Sequence, residues 1–210
     1  MNTIGEHKGV LITFDGPNCV GKSSLINKIA ELLNASGLDN LRTAEPTNSS
    51  LGQFIRTNEE NYQGKTLAYL VTLDRYLHLE NEILPALKKG KIILSDRYIE
   101  SSLVLQRLDG LDLEFIWDLN RFFYTPELSI ILTASVEVLE QRLSKRASLT
   151  RLERQHSRCN ELDYYLETAN YLSSRGFNVI TMDNGNMSIE DNAEIVFNKI
   201  LALATIKNNS

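Results

Sequence analysis

The segment that most constrains the fold of this chain is a glycine-containing loop at residues 16–23, together with the residues on either side of it. The apolar run Val10-Leu11-Ile12-Thr13-Phe14 precedes the loop, and apolar residues recur at helical spacing over residues 22–34. A short run rich in β-branched residues is typical of a buried strand, and the spacing after the loop indicates an amphipathic helix. The sequence therefore predicts a strand, a tight loop and a helix in succession.

The loop has the pattern G-x-x-x-x-G-K-[ST], here Gly16-Pro17-Asn18-Cys19-Val20-Gly21-Lys22-Ser23. In this pattern, consecutive backbone N–H groups surround a phosphate and the following helix points its amino terminus at it. Lys22 is placed to neutralise the β and γ phosphates of a nucleotide, and the hydroxyl of Ser23 is placed to bind Mg²⁺. A structural glycine-rich turn is the alternative, but the flanking strand and helix favour the phosphate site. We therefore predict that ATP and Mg²⁺ bind to these loop residues: Gly16, Asn18, Cys19, Val20, Gly21, Lys22, Ser23 and Ser24.

Further strands and helices alternate along the rest of the chain. Apolar runs predict four more strands, at residues 41–45, 91–95, 128–133 and 178–182. Helical patterns occupy most of the intervals, at residues 66–89 with a break at Pro85, and at 111–124, 136–146, 160–172 and 189–203. Such alternation indicates the α/β class, here a P-loop NTPase fold with a five-stranded parallel sheet covered by helices on both faces. No repeat or low-complexity linker interrupts the pattern, so we expect one domain over residues 1–210, with ligands at the carboxyl ends of the strands.

Charge is unevenly distributed along the chain. The formal net charge of −5 argues against sequence-independent binding to nucleic acid, because such binding needs a basic surface. From Arg142 to Arg158, however, there are six Lys or Arg residues and a single acid, Glu153. A solvated basic helix is one explanation of this stretch. Beside a phosphate-binding loop, the favoured explanation is a basic lid at about residues 144–158 that covers polyphosphate.

The sequence contains no signal for a membrane or for export. No run of eighteen apolar residues occurs, and the amino-terminal segment, residues 1–9, is short and polar. The two cysteines, Cys19 and Cys159, have a spacing that matches neither a disulfide framework nor a metal site. We therefore expect a soluble protein of the reducing cytoplasm that does not contact a membrane.

Five blocks of sequence, in the same order, resemble the motifs of the thymidylate kinases and extend from Phe14 to about Leu172. The blocks lie at residues 14–23, at 45–46 with 51–56, at 74–78, at 96–106, and at 142–146 with 150–153. Many nucleotide hydrolases share the first block, whereas five blocks in order point to this family. The resemblance implies a phosphotransferase that uses ATP to phosphorylate a nucleoside monophosphate, with dTMP as the first candidate and dTDP as its product. It also implies a homodimer.

The chemical requirements of phosphoryl transfer suggest roles for the residues that follow the third predicted strand. Phosphoryl transfer requires positioning and positive charge around the transferred group. Asp96 is placed to hold Mg²⁺ together with Ser23, and Arg97 is placed to grip the acceptor phosphate with both arms of its guanidinium. Arg56 would close on the same phosphate from the second block. A structural ion pair is the alternative for Asp96 and Arg97.

Other acceptor and lid residues follow from the resemblance. It implies that Arg75 bonds to the base of the acceptor, although a helix salt bridge of the Asp74-Arg75 pair is an alternative. It also implies that four further residues bind the acceptor: Glu45, Tyr98, Ser101 and Ser102. In the lid, Arg151 is the first candidate to stabilise the transition state, with Arg146 and Arg154 behind it. The catalytic set is then Lys22, Asp96, Arg97 and Arg151.

Several positions near the acceptor differ from the family pattern. Asn18 replaces an acid that reaches the sugar, Val71 replaces a phenylalanine that stacks on thymine, and Leu105 replaces an aromatic residue that crowds the 2′ position. Ala44 stands where the family usually has arginine. The sequence therefore leaves open which base and which sugar the acceptor carries.

Two other functions are compatible with parts of this pattern. A deoxynucleoside kinase shares the loop, the Glu-Pro pair and the acid-arginine pair, and there Glu45 would act as general base on a 5′-hydroxyl. Arg56, the segment at residues 98–106 and the lid fit a phosphorylated acceptor better. A non-catalytic nucleotide-binding module is the alternative of a different class, which the intact Lys22 and Arg97 disfavour.

Overall fold

The computed structural model describes residues 7–146 and 148–208. Residues 1–6 of the polar amino-terminal segment, Ala147 of the predicted lid, and residues 209–210 lie outside the described part. The strands are β1 (Val10–Asp15), β2 (Asn40–Ala44), β3 (Ile92–Asp96), β4 (Leu128–Thr133) and β5 (Val179–Asp183). They form one sheet in the order β2-β3-β1-β4-β5, and every neighbouring pair is parallel. The predicted α/β fold with a five-stranded parallel sheet is therefore confirmed.

Helices follow or separate these strands on both faces of the sheet. They are α1 (Lys22–Ala35), α2 (Ser50–Asn58), α3 (Gly64–His78), α4 (Leu84–Lys88), α5 (Ile99–Leu108), α6 (Leu113–Asn120), α7 (Val136–Leu143), α8 (Arg151–Gln155), α9 (Arg158–Ser174) and α10 (Ile189–Asn208). A π-helical stretch, Leu79–Ile83, joins α3 to α4. No helix within the described ranges has both the length and the apolar composition needed to cross a membrane.

The central strand β1 is buried along its whole length because helices cover both of its faces. Ile12 and Phe14 belong to the core cluster that contains residues of α1 and α10, whereas Leu11 belongs to the cluster that contains residues of α4, α5 and α6. A strand buried on both sides needs no alternation of polar residues. The register pairs Asp96 with both Phe14 and Ala44, so β1, β2 and β3 end at the same edge. The loops that leave this edge build the site.

Three helices, α2, α5 and α8, have no counterpart in the sequence-based prediction. In α5 the apolar Leu103 and the polar Glu100 and Gln106 are all buried, so its sequence lacks a single apolar stripe. α8 has only five residues, and a capping box between Thr150 and Glu153 fixes its start. A helix as buried as α5 or as short as α8 produces too little periodicity to be recognised from sequence.

Pro85 does not interrupt the long helical segment between β2 and β3. The π-helical stretch Leu79–Ile83 leads directly into α4, and Pro85 lies in the first turn of α4. Proline has no N–H, and in an α-helix its ring clashes with the carbonyl four residues earlier. The wider turn just before Pro85 accommodates it. The expected break is therefore a local change of helix type.

Candidate active site

The loop between β1 and α1 has a shape that requires glycine at two positions. Gly16 and Gly21 have φ angles of 133° and 105°. A Cβ atom on Gly16 would lie 2.4 Å from the carbonyl oxygen of Leu132, and one on Gly21 would lie 2.5 Å from Nδ2 of Asn184. Both positions therefore exclude a side chain on steric as well as conformational grounds.

Lys22, the first residue of α1, is buried beneath this loop. Its Nζ donates hydrogen bonds to the carbonyl oxygens of Gly16 and Pro17, at 2.8 and 2.9 Å. Burial, and after it the positive charge of Arg97, lower the pKa of Lys22 from 10.5 to about 8. An anion beside this ammonium would favour its charged form, so the position suits a phosphate.

Ser23 and Asp96 bring two oxygen-bearing groups together at the carboxyl ends of β1 and β3. Oγ of Ser23 donates a hydrogen bond to Oδ2 of Asp96 at 2.7 Å. Mg²⁺ prefers oxygen ligands and usually takes only one or two from carboxylates, with the rest from phosphates and water. Residues 7–146 and 148–208 contain no group of three His, Cys, Asp or Glu side chains that could hold a metal. The pair therefore fits a Mg²⁺ ion that arrives with a nucleotide, and not an all-protein metal cage.

Two residues from the second half of the chain support the loop from outside. Nη1 of Arg142 and Nδ2 of Asn184 both donate to the carbonyl oxygen of Val20, at 3.0 and 2.8 Å. Nη2 of Arg142 also donates to the carbonyl oxygen of Asn184 at 3.2 Å. The side chain of Val20 lies in the core, so only its backbone belongs to the loop surface. Sequence reasoning missed Asn184, whose only signal is its position immediately after β5.

Two cavities meet at the carboxyl edge of the sheet. The loop cavity, of about 380 Å³, is lined among others by Cys19, Gly21, Lys22, Ser23 and Ser24. The α3/α5 cavity, of about 400 Å³, lies between the loop after β2, helices α3 and α5, and the lid. Four residues line both cavities: Asn18, Asp96, Arg97 and Arg146. Each cavity has the size of a small-molecule site, so two ligands can meet at a carboxylate and two arginines.

Arg97 is held in place at this junction. Its backbone has a φ of 74°, and its N–H donates to the carbonyl oxygen of Phe14 at 2.9 Å. Nη1 donates to Oγ of Ser101 at 2.8 Å, and Nη2 donates to Oδ1 of Asn18 at 2.6 Å. A left-handed conformation in a residue other than glycine is uncommon and is often found at functional sites. Ser101, predicted to contact substrate, therefore bonds to the arginine, while Ser102 lies beside it in the lining.

Arg75 is buried in the wall of the α3/α5 cavity and bonded on three sides. Its Nε donates to Oε2 of Glu45 at 2.8 Å, Nη1 to Oδ1 of Asn120 at 2.6 Å, and Nη2 to the carbonyl oxygen of Tyr98 at 2.9 Å. Oε1 of Glu45 lies 3.1 Å from Nδ1 of His78. Both oxygens of Glu45 are thus occupied, and the salt bridge of Arg75 is with Glu45.

Asp74 and Arg56 hold the loop that follows β2. Asp74 accepts hydrogen bonds from N and Oγ1 of Thr47, both at 2.7 Å. Arg56 of α2 donates to the carbonyl oxygens of Pro46 and Thr47 and to Oδ1 of Asn48. Arg56 also lines the α3/α5 cavity. To grip a phosphate it would have to exchange these loop contacts for the ligand.

Aliphatic side chains form one part of the remaining lining of the α3/α5 cavity, beside the charged residues Glu59, Glu153, Arg158 and Glu161. Its aliphatic lining residues other than alanine are Ile55, Leu67, Val71, Leu105, Leu108 and Leu152. Among the described residues that line it, Tyr98 is the single aromatic one. Tyr69 is 54% exposed, and the hydroxyl of Tyr76 donates to the carbonyl oxygen of Leu119 at 3.1 Å. Neither of these tyrosines therefore replaces the aromatic ring that Val71 lacks.

The lid arginines are paired with carboxylates. Arg151 binds both oxygens of Asp109, at 2.6 and 2.9 Å, and is not among the described residues that line either cavity. Arg146 lines both cavities, and its Nη1 bonds to Glu153 at 3.0 Å. In this structure Arg146, and not Arg151, reaches the junction, because Asp109 at the end of α5 holds Arg151 away from it.

Comparison with known proteins gives the same family throughout. The family model described as thymidylate kinase matches residues 14–192. A probable thymidylate kinase of Thermococcus onnurineus is 34% identical over 206 residues, covering 92% of this chain and 96% of the relative. The thymidylate kinase of Leuconostoc mesenteroides is 32% identical over 210 residues, covering 92% and 97%. With the fold and the glycine loop, these matches establish that the chain belongs to the thymidylate kinase family and is a nucleoside monophosphate kinase.

Proposed function

We propose that this protein transfers the γ-phosphoryl group of ATP to dTMP in the cytoplasm, with Mg²⁺ as cofactor. The observation that carries the proposal is the meeting of two cavities at Asn18, Asp96, Arg97 and Arg146. Phosphoryl transfer requires the donor and acceptor phosphates to be held together where positive charge is concentrated. The names of the relatives support dTMP as the first acceptor to test.

In this proposal the loop cavity binds the triphosphate of ATP. Lys22 releases the carbonyl oxygens of Gly16 and Pro17 and turns its ammonium to the β and γ phosphates. Ser23 and Asp96, whose oxygens lie 2.7 Å apart, would hold the metal. When bound, Mg²⁺ supplies neutralisation of the charge on the phosphates.

The α3/α5 cavity binds the nucleoside monophosphate. Arg97 holds the acceptor phosphate at the junction, where the planar fork of its guanidinium suits phosphate geometry. Arg56 assists from α2, and Arg75 presents its fixed guanidinium to the base. Arg146 is our first candidate for the lid arginine that stabilises the transition state, and Arg151 fastens α8 to the end of α5.

The aliphatic part of the lining supports modest selectivity for the base and the sugar. An aromatic stack is worth about 1–3 kcal/mol per base, and Val71 does not supply one. A single methyl group in an apolar pocket is worth about 1–3 kcal/mol, so thymine is distinguished only moderately from uracil. Leu105 leaves more room near the sugar than an aromatic residue would. We expect measurable activity on dUMP and a smaller penalty for ribonucleotides than a typical thymidylate kinase shows.

The state of Glu45 supports this proposal over a nucleoside kinase. A nucleoside kinase would need Glu45 to remove a proton from a 5′-hydroxyl. Its Oε2 accepts a hydrogen bond from Nε of Arg75 and its Oε1 lies 3.1 Å from Nδ1 of His78, so both oxygens already have partners within the protein. The family assignment likewise does not favour a nucleoside kinase or a non-catalytic binding module.

The test is coupled ADP release with dTMP, dUMP, UMP, dCMP, dGMP and thymidine at equal concentration. We expect dTMP to be turned over fastest and dUMP measurably. Exclusive use of dTMP would refute the modest selectivity, whereas turnover of thymidine without dTMP would replace the proposal by a nucleoside kinase. No turnover of any acceptor would leave only the binding module.

We also propose a homodimer, formed through the outward face of α3. Tyr69, Leu73 and Leu77 lie four residues apart on this helix and are 54%, 51% and 38% exposed. Residues at this spacing form one stripe on a helix, and large exposed apolar stripes favour association. Light scattering should give twice the monomer mass for the natural protein and the monomer mass for Leu73→Glu. Ile195→Glu on α10 is the control, and a natural protein of monomer mass would contradict the proposal.

A further inference from the structure

A single buried carboxylate joins the glycine loop to α5 and α9. Asp15, the last residue of β1, is completely buried. Its Oδ1 accepts hydrogen bonds from the N–H of Gly16 at 3.0 Å and from the hydroxyls of Ser101 and Tyr165 at 2.7 and 3.0 Å. Its Oδ2 accepts from the N–H groups of Tyr98 and Ser101 at 3.2 and 2.9 Å. Three separate segments therefore depend on one side chain.

Asp15 serves as the amino-terminal cap of α5. Tyr98, at the cap position, makes no side-chain capping bond of its own. The first N–H groups of a helix have no partner within the helix, and negative charge is favourable at that end. Asp15 meets both requirements from β1. It thereby fixes the first turn of α5, which carries Ser101.

Ser101 links Asp15 to the guanidinium of Arg97. Its hydroxyl has one hydrogen, which it donates to Asp15, and its lone pairs remain free to accept from Nη1 of Arg97 at 2.8 Å. The carboxylate of Asp15 also lies 3.8 Å from the same nitrogen. Asn18 holds the other arm of the guanidinium at 2.6 Å. Both arms of Arg97 are therefore held by protein groups.

On the basis of the proposed function, we propose that Asp15, Ser101 and Tyr165 are positioning residues that hold the Arg97 guanidinium at the junction of the two cavities before either ligand binds. Arg97 touches the acceptor phosphate, and the other three act through it. Charge held in place in advance stabilises a transition state without reorganisation. A displacement of 1 Å can cost about a hundredfold in rate.

The first test examines Arg97 directly in the protein without ligands. In carbon-detected NMR of arginine-labelled protein, we expect two separate Nη signals for Arg97, because bonds to Ser101 and Asn18 hinder rotation of the guanidinium. The signals are assigned by their loss in Arg97→Lys. They should merge in Ser101→Ala. Merged signals in the natural protein, or no change in Ser101→Ala, would overturn the inference whether or not the protein is a kinase.

The second test separates positioning from general stability by kinetics. We expect Ser101→Ala to lower kcat about 10- to 100-fold, with the KM for ATP unchanged within about twofold. In an Arg97→Ala background, measured by single turnover, the same replacement should change the rate less than about twofold, because residues that act through one group are not additive. Losses that multiply in the double variant would contradict the proposal.

A matched pair of tyrosines tests the link to α9. Tyr165→Phe removes one donor from Asp15 and should lower kcat about 3- to 10-fold. Tyr124 is also buried, and its hydroxyl donates to a carboxylate, Glu127, at 2.8 Å near the opposite edge of the sheet. Tyr124→Phe should therefore reduce Tm comparably and leave kcat unchanged. Equal effects of the two replacements on kcat would show that Tyr165 has no positioning role.

Discussion

Replacing Glu100 with glutamine tests the electrostatics beneath the site. Glu100 lies in the first turn of α5, is completely buried, and accepts a hydrogen bond from Oγ1 of Thr13 at 2.8 Å. Burial, and after it the negative charge of Asp15, raise the pKa of Glu100 from 4.5 to about 7. Glutamine has nearly the same shape, keeps an oxygen for Thr13 and cannot ionise. The replacement therefore removes one titration and changes little else.

The expected magnitude follows from the two pKa values. A carboxyl with a raised pKa binds its proton more tightly in the folded state than in the unfolded chain. Its contribution to stability is fully present below pH 4.5 and is lost as the pH rises through 7. At pH 8 the shift of the pKa from 4.5 to about 7 has reduced the free energy of unfolding by about 3 kcal/mol. At pH 5 less than about 1 kcal/mol has been lost.

Urea unfolding of the natural protein and of Glu100→Gln at pH 5, 6.5 and 8 measures this difference. We expect the free energy of unfolding of the variant, relative to the natural protein, to rise by about 2–3 kcal/mol between pH 5 and pH 8. Titrating groups that do not interact with Glu100 are common to both proteins and cancel, and any constant cost of the amide shifts all three values equally. A difference that does not change with pH would refute the reasoning.

Four further replacements test the catalytic and acceptor assignments. Lys22→Ala should lower kcat by about 10²- to 10³-fold with the fold intact by circular dichroism, and retained turnover would remove the donor-site assignment. Arg146→Ala should lower kcat by about 10³-fold or more with little change in the KM for ATP, whereas Arg151→Ala should mainly lower Tm through loss of its ion pair with Asp109. The opposite result in steady-state kinetics would return the catalytic role to Arg151. Leu105→Tyr should raise the ratio of kcat/KM for dTMP over UMP, and an unchanged ratio would show that this position does not read the sugar.

Local sequence patterns were sufficient to predict the strands that helices cover on both faces. The strand predicted at residues 128–133 is β4 with the same bounds, and the strand predicted at residues 10–14 is β1 with one more residue, Asp15. These runs are apolar because helices cover both faces of the sheet, and that requirement is visible in any short window of sequence. The amino terminus of α5 carries no such signal, because its cap comes from Asp15, 86 positions before Ser101.

The sequence by itself determined the α/β class and the glycine loop and supplied candidates for the two proposed ligand sites, because each depends on neighbouring residues or on motifs that keep their spacing. Tertiary structure alone decided which of those residues meet. Arg97 bonds to Asn18 across 79 positions, and Tyr165 bonds to Asp15 across 150. It also placed Arg146 at the junction and paired Arg151 with Asp109. These contacts depend on the sheet order β2-β3-β1-β4-β5 and on how the lid packs against α5, and no local pattern of residues encodes either.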